Sequence, residues 1–423
     1  MTVLVLDRAG PVDLALNAPP SKSLTHRALV AASMADGPSV LYDPLLADDT
    51  RLTIAGLRQL GAAIEVVGDR VVGVEGAGGP LAGGDGAELD CGNSGTTLRL
   101  LASVAALADG PVTLTGSARM RERPVGPLGT ALEVLGATVR YPVADGVPPI
   151  VIAGPLRGGE VAVDGGVSSQ FASSLLLGGP LMPDGLVLRL ASPPVSRSYL
   201  DLTIGVMTAF GADVDRRGYE RFAVRPGTYE GISYAVEGDW SSASYLFALA
   251  AALGGRVTVR NLDPASAQGD RRFVGALAAM GCRVSSGPAG ITVERDGPLS
   301  GIECEMSSAP DTVQTLAVIA ALAEGPTRIT GIGHLRHKES DRLAVTADRL
   351  RSLGAGATVE EDALTVVPAP LHGDSIDPAG DHRTAMAFAV LGLVIGGVAV
   401  EDPGCVAKSW PGFWSTLREA GLL

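Results

Sequence analysis

Lysine occurs at only three positions in this sequence. Of its 33 lysine and arginine residues, the three lysines are Lys22, Lys338 and Lys408. A general preference for arginine explains the scarcity of lysine but not which three positions kept it. An ammonium group is a compact charge that can give up a proton or contact a phosphate closely, whereas a guanidinium stays planar and charged. The three lysines are therefore candidates for phosphate binding and proton transfer.

Short polar motifs are the second chemical feature, because each precedes a segment with the apolar pattern of a helix. They are SKSLTHR (21–27), GNSGTT (92–97), SSQF (168–171), GDWSSAS (238–244), APDTVQT (309–315) and GDHRTAM (380–386). Most contain Ser, Thr, Asn or Asp, which cap helix starts. A helix start also attracts anions through its free N–H groups and partial positive charge. One such motif is equally consistent with an ordinary cap, but six together predict a receptor for a strongly anionic small molecule.

The elements that carry these motifs repeat along the chain. A helix-like segment, a glycine and a strand-like stretch recur with the glycine at Gly61, Gly136, Gly211, Gly281 and Gly354. A second mark, an Ala/Leu-rich helix stopped by glycine, recurs at Gly37, Gly110, Gly185, Gly254, Gly325 and Gly396. Basic clusters begin several of the second helices: MRERP (120–124), QGDRRF (268–273) and RHKESDRL (336–343). The pattern predicts an α/β protein of six units of about 70 residues, a period typical of repeated supersecondary structure.

The repeat also predicts the domain organisation. The sixth unit begins near residue 380 and is short of residues, while the first 18 residues supply the strand-like segments TVLVL and VDLAL. We therefore expect the N-terminus to complete the last unit. This gives one domain of three units over 19–238 and a second, discontinuous domain of three units over 1–18 and 239–423. The two crossings, near Pro19 and Asp239, are expected to act as a hinge.

Charge and hydropathy exclude several classes of protein. The net charge of −13 would repel nucleic acid and anionic membranes, so neither is an expected partner. The longest uncharged apolar stretch, 385–400, contains two glycines and is shorter than the roughly 20 residues of a membrane-spanning helix. The N-terminus shows no secretory signal, and we expect a cytosolic protein. The four cysteines lack metal-ligand spacing, so neither a metal site nor a disulfide is predicted.

Nine motifs, in order from residue 19 to 414, together resemble the 5-enolpyruvylshikimate-3-phosphate synthase family. They are PPSKSLTHRALV, GNSGTTLR, RERPVGPL, GGVSSQF, EGDWSSASY, PDTVQT, HKESDRL, DHRTAMAF and CVAKSWPGF. The resemblance implies a two-domain inside-out α/β barrel, each domain with three repeats of a βαβαββ-type unit and the active site in the interdomain cleft. It implies transfer of the enolpyruvyl group of phosphoenolpyruvate to the 5-hydroxyl of shikimate 3-phosphate. It also implies a monomer that needs neither cofactor nor metal, since the phosphate ester supplies the leaving group.

The resemblance assigns roles to residues of this sequence. Those matching the shikimate 3-phosphate contacts are Lys22, Ser23, Arg27, Ser168, Ser169, Gln170, Ser196, Asp311, His334 and Lys338. Those matching the phosphoenolpyruvate contacts are Lys22, Gly95, Arg123, Gln170, Arg342, Arg383 and Lys408. The carboxylate and phosphate of the donor suit arginine forks and lysine.

Addition followed by elimination also requires proton transfer in a closed site. Asp311 is the expected acceptor of the hydroxyl proton, and Glu339 is expected to protonate C3 and later to deprotonate it. Lys22 would neutralise the departing phosphate, and His382 would support the arginine beside it. As ordinary structural residues, Asp311 would cap a helix and Glu339 would pair with Arg342.

Departures from the family pattern and two rival functions remain open at this stage. His334 stands where an asparagine is common, and Leu100 where a proline is common, so inhibitor sensitivity is not assigned. Trp240 and Trp410 are expected to pack. A UDP-N-acetylglucosamine enolpyruvyl transferase would carry Lys-Asn in place of Lys22-Ser23. A noncatalytic metabolite-binding paralogue would not need the two proton-transfer carboxylates.

Overall fold

The structure is a computed structural model that describes residues 2–423. Its contacts divide the chain into two compact units. The central unit is Pro20–Val236, and the discontinuous unit combines the residues up to Pro19 with Glu237–Leu423. The chain begins in the discontinuous unit with strands β1 (Val3–Leu6) and β2 (Val12–Leu16).

The central unit contains six α-helices and fourteen strands. The helices are α1 (Lys22–Met34), α2 (Asp48–Gln59), α3 (Gly95–Leu107), α4 (Gly126–Val134), α5 (Ser169–Gly178) and α6 (Ser198–Ala209). The strands are β3 (Ala35–Asp36), β4 (Pro38–Tyr42), β5 (Ala63–Val67), β6 (Val71–Glu75), β7 (Glu88–Asp90), β8 (Val112–Thr115), β9 (Thr138–Arg140), β10 (Ile150–Ala153), β11 (Gly159–Val163), β12 (Leu186–Leu190), β13 (Val214–Arg217), β14 (Arg221–Val224), β15 (Tyr229–Glu230) and β16 (Ser233–Ala235).

The rest of the discontinuous unit follows the same alternation. Its helices are α7 (Trp240–Leu253), α8 (Arg272–Ala279), α9 (Val313–Ala320), α10 (Arg342–Ser352), α11 (His382–Ile395) and α12 (Phe413–Glu419). Its further strands are β17 (Gly255–Val259), β18 (Arg283–Gly287), β19 (Gly290–Arg295), β20 (Glu303–Glu305), β21 (Thr327–Thr330), β22 (Gly356–Val359), β23 (Ala363–Val367), β24 (Ser375–Ile376) and β25 (Val398–Glu401). Short 3-10 helices lie at Met120–Glu122, Gly179–Leu181, Gly269–Arg271, Pro310–Thr312, Gly333–His337 and Pro403–Lys408.

The sheets repeat one pairing pattern. In the central unit their strand orders are β16-β4-β6-β5, β7-β8-β10-β9 and β11-β12-β14-β13. In the discontinuous unit they are β2-β17-β19-β18, β20-β21-β23-β22 and β24-β25-β1. In all six the first pair is parallel and the rest are antiparallel. The two N-terminal strands thus enter different sheets, β2 beside β17 and β1 beside β25.

The second helix of every repeat ends in the same hydrogen-bonded glycine motif. After α2, Gly61 has φ of +99° and Ala62 N donates to Leu57 O at 2.9 Å. This six-to-one bond closes a Schellman motif, which glycine favours because it has no Cβ. The five glycines predicted from the sequence all take part, and the sixth repeat ends likewise at Gly421, with φ of +72°. The sequence reading had missed this sixth glycine.

Helices form the core of each unit. The first helices of the repeats, α1, α3 and α5 in one unit and α7, α9 and α11 in the other, are buried on nearly all sides. A helix that is apolar around its whole circumference belongs in a core. Strands such as β4 and β17 alternate buried and exposed side chains, as expected for sheets with one wet face. The α/β class and the inward position of these helices are confirmed.

The tryptophans, the cysteines and the helix lengths complete the description of the fold. Trp240 and Trp410 are buried and pack on Phe247 and Phe413, which confirms their packing role. All four cysteines are free thiols. Over residues 2–423, no helix has the length and apolar character to cross a membrane, and no His, Cys, Asp and Glu side chains are grouped to hold a metal ion.

Candidate active site

The polar motifs lie where the sequence placed them, at the starts of the buried helices. Four are capped by a side chain, as Ser94, Ser168, Asp239 and Asp381 accept backbone N–H bonds of α3, α5, α7 and α11. Helix α1 begins at Lys22 without a side-chain cap. Helix α9 is preceded by the 3-10 helix Pro310–Thr312, which carries Asp311. The motifs thus place the candidate site residues at the starts of these helices.

Lys22 is the first residue of α1 and is held by a buried carboxylate. Its Nζ donates to Asp49 Oδ2 at 3.0 Å, and both side chains are largely buried. Asp49 lies in the first turn of α2, and the sequence analysis did not single it out. The acidic pair that opens α2 was the available signal, since carboxylates favour helix N-termini.

Arg27 is a buried cation surrounded by neutral partners. Its side chain is 1% exposed. It donates to Thr203 Oγ1 at 2.8 Å, Ser173 Oγ at 3.4 Å and the carbonyls of Tyr199 and Ser23. Among the described residues, no carboxylate lies within ion-pair distance of Arg27. Burial lowers the pKa of Arg27 to about 10, so it remains charged at neutral pH. A buried charge without a counter-charge is costly, which suits a site that receives an anion.

The SSQF motif places Gln170 at the start of α5, between two partners on α3. Its Oε1 accepts from Arg99 Nη1 at 2.7 Å, and its Nε2 donates to Thr96 Oγ1 at 3.0 Å. These bonds fix the orientation of the amide. Ser168 and Ser169 lie beside it at the same helix start. Arg99 was missed in the sequence analysis, because nothing local connects it to a residue 71 positions away.

Ser196 shows the backbone strain that often marks a ligand contact. Its φ is +55°, in the left-handed region, where a residue with a Cβ is uncommon. Its hydroxyl is buried and has no hydrogen-bond partner. Such a group costs free energy unless something outside the chain binds it.

Gly95 allows two arginines to approach the start of α3. A Cβ at this position would lie 2.6 Å from Arg123 Nη2 and 2.9 Å from Arg99 Nη1. Arg123 is buried and donates to the carbonyl of Asn93 at 3.2 Å. Any side chain at Gly95 would therefore displace these guanidinium groups, so glycine allows two cations to lie at this helix start.

In the discontinuous unit, Arg342 is the centre of a carboxylate network. Its Nε donates to Asp381 Oδ2, Nη1 to Asp311 Oδ1 and Nη2 to Glu339 Oε2, at 2.8, 2.8 and 2.9 Å. The side chain is 1% exposed. Burial alone would lower the pKa of Arg342, but the three carboxylates raise it above its ordinary value. The guanidinium thus stays charged and holds two candidate proton-transfer groups in fixed positions.

Asp311 bridges two arginines. Besides its bond to Arg342, its Oδ2 accepts from Arg383 Nη2 at 2.7 Å. Arg383 is buried near the start of α11, and its backbone N–H is capped by Asp381. His382 beside it is fully buried, with Nδ1 3.7 Å from Asp381 Oδ1. The Asp311 carboxylate thus binds side chains from two other helices, α10 and α11.

Glu339 lies between an arginine and a lysine. Its Oε2 accepts from Arg342, which confirms the predicted pair, and its Oε1 is 4.0 Å from Lys408 Nζ. Lys408 is buried at the end of the 3-10 helix Pro403–Lys408, and Lys338 is half-buried. Two of the three lysines therefore belong to the same unit as both candidate proton-transfer carboxylates.

His334 is a neutral imidazole in the same unit. Its Nε2 is buried and has no hydrogen-bond partner. Burial and the nearby Lys338 charge lower the pKa of His334 to about 3. The ring is therefore uncharged at neutral pH and presents a free nitrogen to a ligand, either as donor or as acceptor.

Asp270 is a buried acid that sequence reasoning passed over, although it lies in the QGDRRF motif. One oxygen accepts from the hydroxyl of Ser241 on α7, and the other has no partner. Burial, and then repulsion from Asp311, raise the pKa of Asp270 to about 7. The attraction of Arg383 opposes this shift. Asp270 thus belongs to the electrostatic surroundings of Asp311.

The structure brings the predicted residues together within each unit. The set in the central unit is Lys22, Ser23, Arg27, Gly95, Arg123, Ser168, Ser169, Gln170 and Ser196. The set in the discontinuous unit is Asp311, His334, Lys338, Glu339, Arg342, His382, Arg383 and Lys408. The first set is rich in cations, hydroxyls and backbone N–H groups, whereas the second pairs cations with carboxylates.

Comparison with known proteins decides the family. The family model described as EPSP synthase (3-phosphoshikimate 1-carboxyvinyltransferase) matches residues 6–417. The chain belongs to the EPSP synthase family. A 3-phosphoshikimate 1-carboxyvinyltransferase of Methanosphaerula palustris is 58% identical over 99% of both chains. One of Methanoculleus marisnigri is 56% identical over the whole of both chains.

Solved structures of EPSP synthases share the fold. EPSP synthase from Acinetobacter baumannii superposes with a TM-score of 0.82 at 27% identity, covering 99% of this chain and 98% of that one. The family resemblance inferred from the nine motifs is confirmed. These comparisons do not favour the UDP-N-acetylglucosamine enzyme or a noncatalytic paralogue.

Proposed function

We propose that this EPSP synthase family member transfers the enolpyruvyl group of phosphoenolpyruvate to the 5-hydroxyl of shikimate 3-phosphate, releasing phosphate. The observation that carries the proposal is the pair of carboxylates, Asp311 and Glu339, fixed on one buried guanidinium. A pure binding protein has no need of two acids held for proton transfer. Buried cations and anion-accepting helix starts supply the complementary half of the site.

Substrate binding follows from the charges of the central unit. Arg27 and Lys22, with Ser23, Ser168, Ser169, Gln170 and Ser196, would hold the phosphate and hydroxyls of the acceptor. Arg27 supports this role because its charge is buried among neutral acceptors. Arg123, which lies beside Gly95, would bind phosphoenolpyruvate together with Arg342, Arg383 and Lys408. His334 and Lys338 would complete the acceptor contacts.

The reaction then proceeds in two proton-coupled steps. Asp311 takes the proton of the 5-hydroxyl while the oxygen attacks C2 of phosphoenolpyruvate and Glu339 delivers a proton to C3. In the elimination, Glu339 removes a proton from C3 as the C2–O bond to phosphate breaks. Lys22 neutralises the departing phosphate, and His382 supports Arg383. The leaving group is part of the donor, so the chemistry requires neither cofactor nor metal.

Both residue sets would act on the same two substrates, with the active site in the cleft between the domains 19–238 and 1–18 plus 239–423. Closure would hinge at the crossings near Pro19 and Asp239, which excludes water from the reaction. We expect shikimate 3-phosphate to lower the radius of gyration in small-angle scattering. An unchanged radius with ligand bound would contradict closure.

The enzyme is expected to act as a cytosolic monomer without nucleic-acid or membrane partners. Sedimentation velocity on the purified chain tests the oligomeric state. A dimer at micromolar concentration would contradict the monomer.

A phosphate-release assay tests the function. Shikimate 3-phosphate with phosphoenolpyruvate should release phosphate, whereas UDP-N-acetylglucosamine with the same donor should not. Lys22→Ala should lower turnover by about 100-fold or more, as expected when a charge that stabilises a developing anion is removed. The control Arg70→Ala removes an exposed cation paired with Asp43, and its rate should equal that of the wild type. Phosphate release with UDP-N-acetylglucosamine as the acceptor, and none with shikimate 3-phosphate, would instead indicate a UDP-N-acetylglucosamine enolpyruvyl transferase.

A further inference from the structure

A chain of buried side chains joins three helix starts of the central unit. His26 Nδ1 lies 2.7 Å from Thr53 Oγ1, which lies 2.8 Å from Thr97 Oγ1. Thr97 Oγ1 lies 3.0 Å from the carbonyl of Asp49 and 2.8 Å from Ser94 Oγ. His26, Thr53, Thr97 and Ser94 are essentially inaccessible to solvent. Sealed networks of this kind are rigid when every member is satisfied.

The number of protons available shows which atom donates in each hydrogen bond of this side-chain network. Thr97 Oγ1 is placed to donate to the Asp49 carbonyl and to Ser94 Oγ, so its single hydroxyl proton serves these two acceptors. The hydroxyl of Thr53 must then donate to Thr97 Oγ1. Since the proton of Thr53 is thereby committed, His26 Nδ1 carries the proton of the remaining bond. Thr97 is therefore the residue that joins Thr53, Asp49 and Ser94.

The ends of the chain lead to substrate-binding residues. Asp49 holds Lys22 through its carboxylate while its carbonyl accepts from Thr97. Ser94 caps α3 by accepting the backbone N–H of Thr97, and Gly95 is the next residue. His26 immediately precedes Arg27 on α1. One hydroxyl thus connects the lysine of α1 with the anion-binding turn before α3.

We infer that Thr97 is a positioning residue that fixes the spacing between Lys22 and Gly95, and so the affinity for phosphoenolpyruvate. The inference rests on the proposed function for the roles of those two residues. Removing the hydroxyl leaves the Asp49 carbonyl, Ser94 Oγ and the Thr53 hydroxyl without this partner, so the turn and the lysine can shift independently. Misplacement by a fraction of an ångström weakens a two-point contact with a small, highly charged ligand.

Steady-state kinetics of Thr97→Val and Thr97→Ser test this inference. Valine keeps the shape but loses the hydroxyl, and we expect the KM for phosphoenolpyruvate to rise about tenfold, the scale of one well-placed hydrogen bond. The KM for shikimate 3-phosphate should rise less, because Gly95 is assigned to the donor. Thr97→Ser keeps the hydroxyl and should restore the donor KM to within about twofold of the wild-type value.

Thr327→Val is the matched control. Thr327 is a buried threonine on β21 whose hydroxyl accepts from Ile302 N, so its loss should lower stability without changing either KM. A wild-type donor KM in Thr97→Val, or a serine variant as impaired as the valine, would overturn the inference. If Thr97→Val does not fold, Thr97→Ala removes the same hydroxyl, and an unchanged donor KM in that variant overturns the inference equally.

The wild-type assay separates the two claims. Wild-type protein that releases no phosphate from the substrate pair would remove the proposed function itself. Active wild-type protein with an unaffected Thr97→Val variant would remove only the positioning role.

Discussion

Two equally buried arginines define the contrast between the two units. Arg27 and Arg342 are each 1% exposed. Arg27 donates only to hydroxyls and carbonyls, and burial lowers its pKa to about 10. Arg342 donates to three carboxylates, and although burial opposes them, they raise its pKa. The central unit therefore has a buried charge whose compensation must come from outside, whereas the discontinuous unit compensates its own.

This difference separates binding from chemistry. A cation among neutral acceptors can receive a phosphate without first breaking an ion pair. A cation among carboxylates holds those acids in place, and their proton affinities respond to its charge. We therefore propose that the central unit binds an anion and that the discontinuous unit moves protons.

The contrast is tested most strongly by Arg342→Met. Removing this cation leaves Asp311, Glu339 and Asp381 without their common partner, which should lower the free energy of unfolding by about 3–5 kcal/mol. Urea unfolding measures the change. Arg351→Met on the same helix removes an exposed cation paired with Asp348 and should cost less than about 1 kcal/mol. Equal decreases in the free energy of unfolding of the two variants would mean that the carboxylate network of Arg342 stabilises the fold no more than an exposed ion pair does.

Arg27→Met should leave the stability of the protein unchanged or higher while it weakens the binding of shikimate 3-phosphate. The variant removes an uncompensated buried charge, so its free energy of unfolding should equal or exceed that of the wild type. Thr203 and Ser173 still hydrogen-bond each other at 2.8 Å. The affinity for shikimate 3-phosphate should fall about 100-fold, as expected for a lost buried charge contact. Calorimetric titration and urea unfolding measure the two quantities, and destabilisation as large as that of Arg342→Met would break the contrast.

The sequence predicts local features of these sites and not their partners. The six helix starts and the repeated glycine stops were visible because caps and stops act within a few residues. Asp381 shows the limit of such reasoning. Its motif predicted a helix cap, which it is, but nothing local indicated that the same carboxylate also binds Arg342, 39 positions earlier.

Long-range pairing explains the other differences as well. Asp49 and Arg99 were missed because their importance comes from Lys22 and Gln170 on other helices. The motif of Asp311 likewise did not indicate that two distant arginines bind its carboxylate. That Arg27 lacks a carboxylate is likewise a property of packing, which no motif encodes.

Asp270→Asn sharpens the contrast through pH. Because the pKa of Asp270 is raised from 3.8 to about 7 in the folded protein, the native state binds more protons than the unfolded state between these values. Stability therefore falls as pH rises from about 4 to 7, and the loss is complete above 7. The charged groups that face it are Asp311, Arg383 and Asp239, the N-cap of α7.

An asparagine cannot ionise but can still accept from Ser241. The midpoint of urea unfolding of Asp270→Asn, measured from pH 5 to pH 8, should therefore fall less than that of the wild type. Parallel pH profiles for the two proteins would show that Asp270 does not titrate in this range.

His334→Asn should have the smallest effect. Burial and the charge of Lys338 lower the pKa of His334 to about 3, so the imidazole is neutral throughout the assay range and contributes no charge to the network of Asp311 and Arg342. An asparagine amide also offers a donor and an acceptor, so the KM for shikimate 3-phosphate should change by less than about threefold.

The same variant should also change how stability depends on pH. The unfolded histidine takes up a proton below its ordinary pKa of 6.5 while the folded one does not, so wild-type stability is lost as pH falls from 6.5 towards 3. The asparagine variant would lack that loss. Urea unfolding at pH 7 and pH 5 should therefore show a higher stability of the variant relative to the wild type at pH 5 than at pH 7. The contrary result is a change of reaction rate with pH near 6.5 that occurs in the wild type and not in the variant. It would show that His334 is charged during catalysis and that its charge contributes to the discontinuous unit.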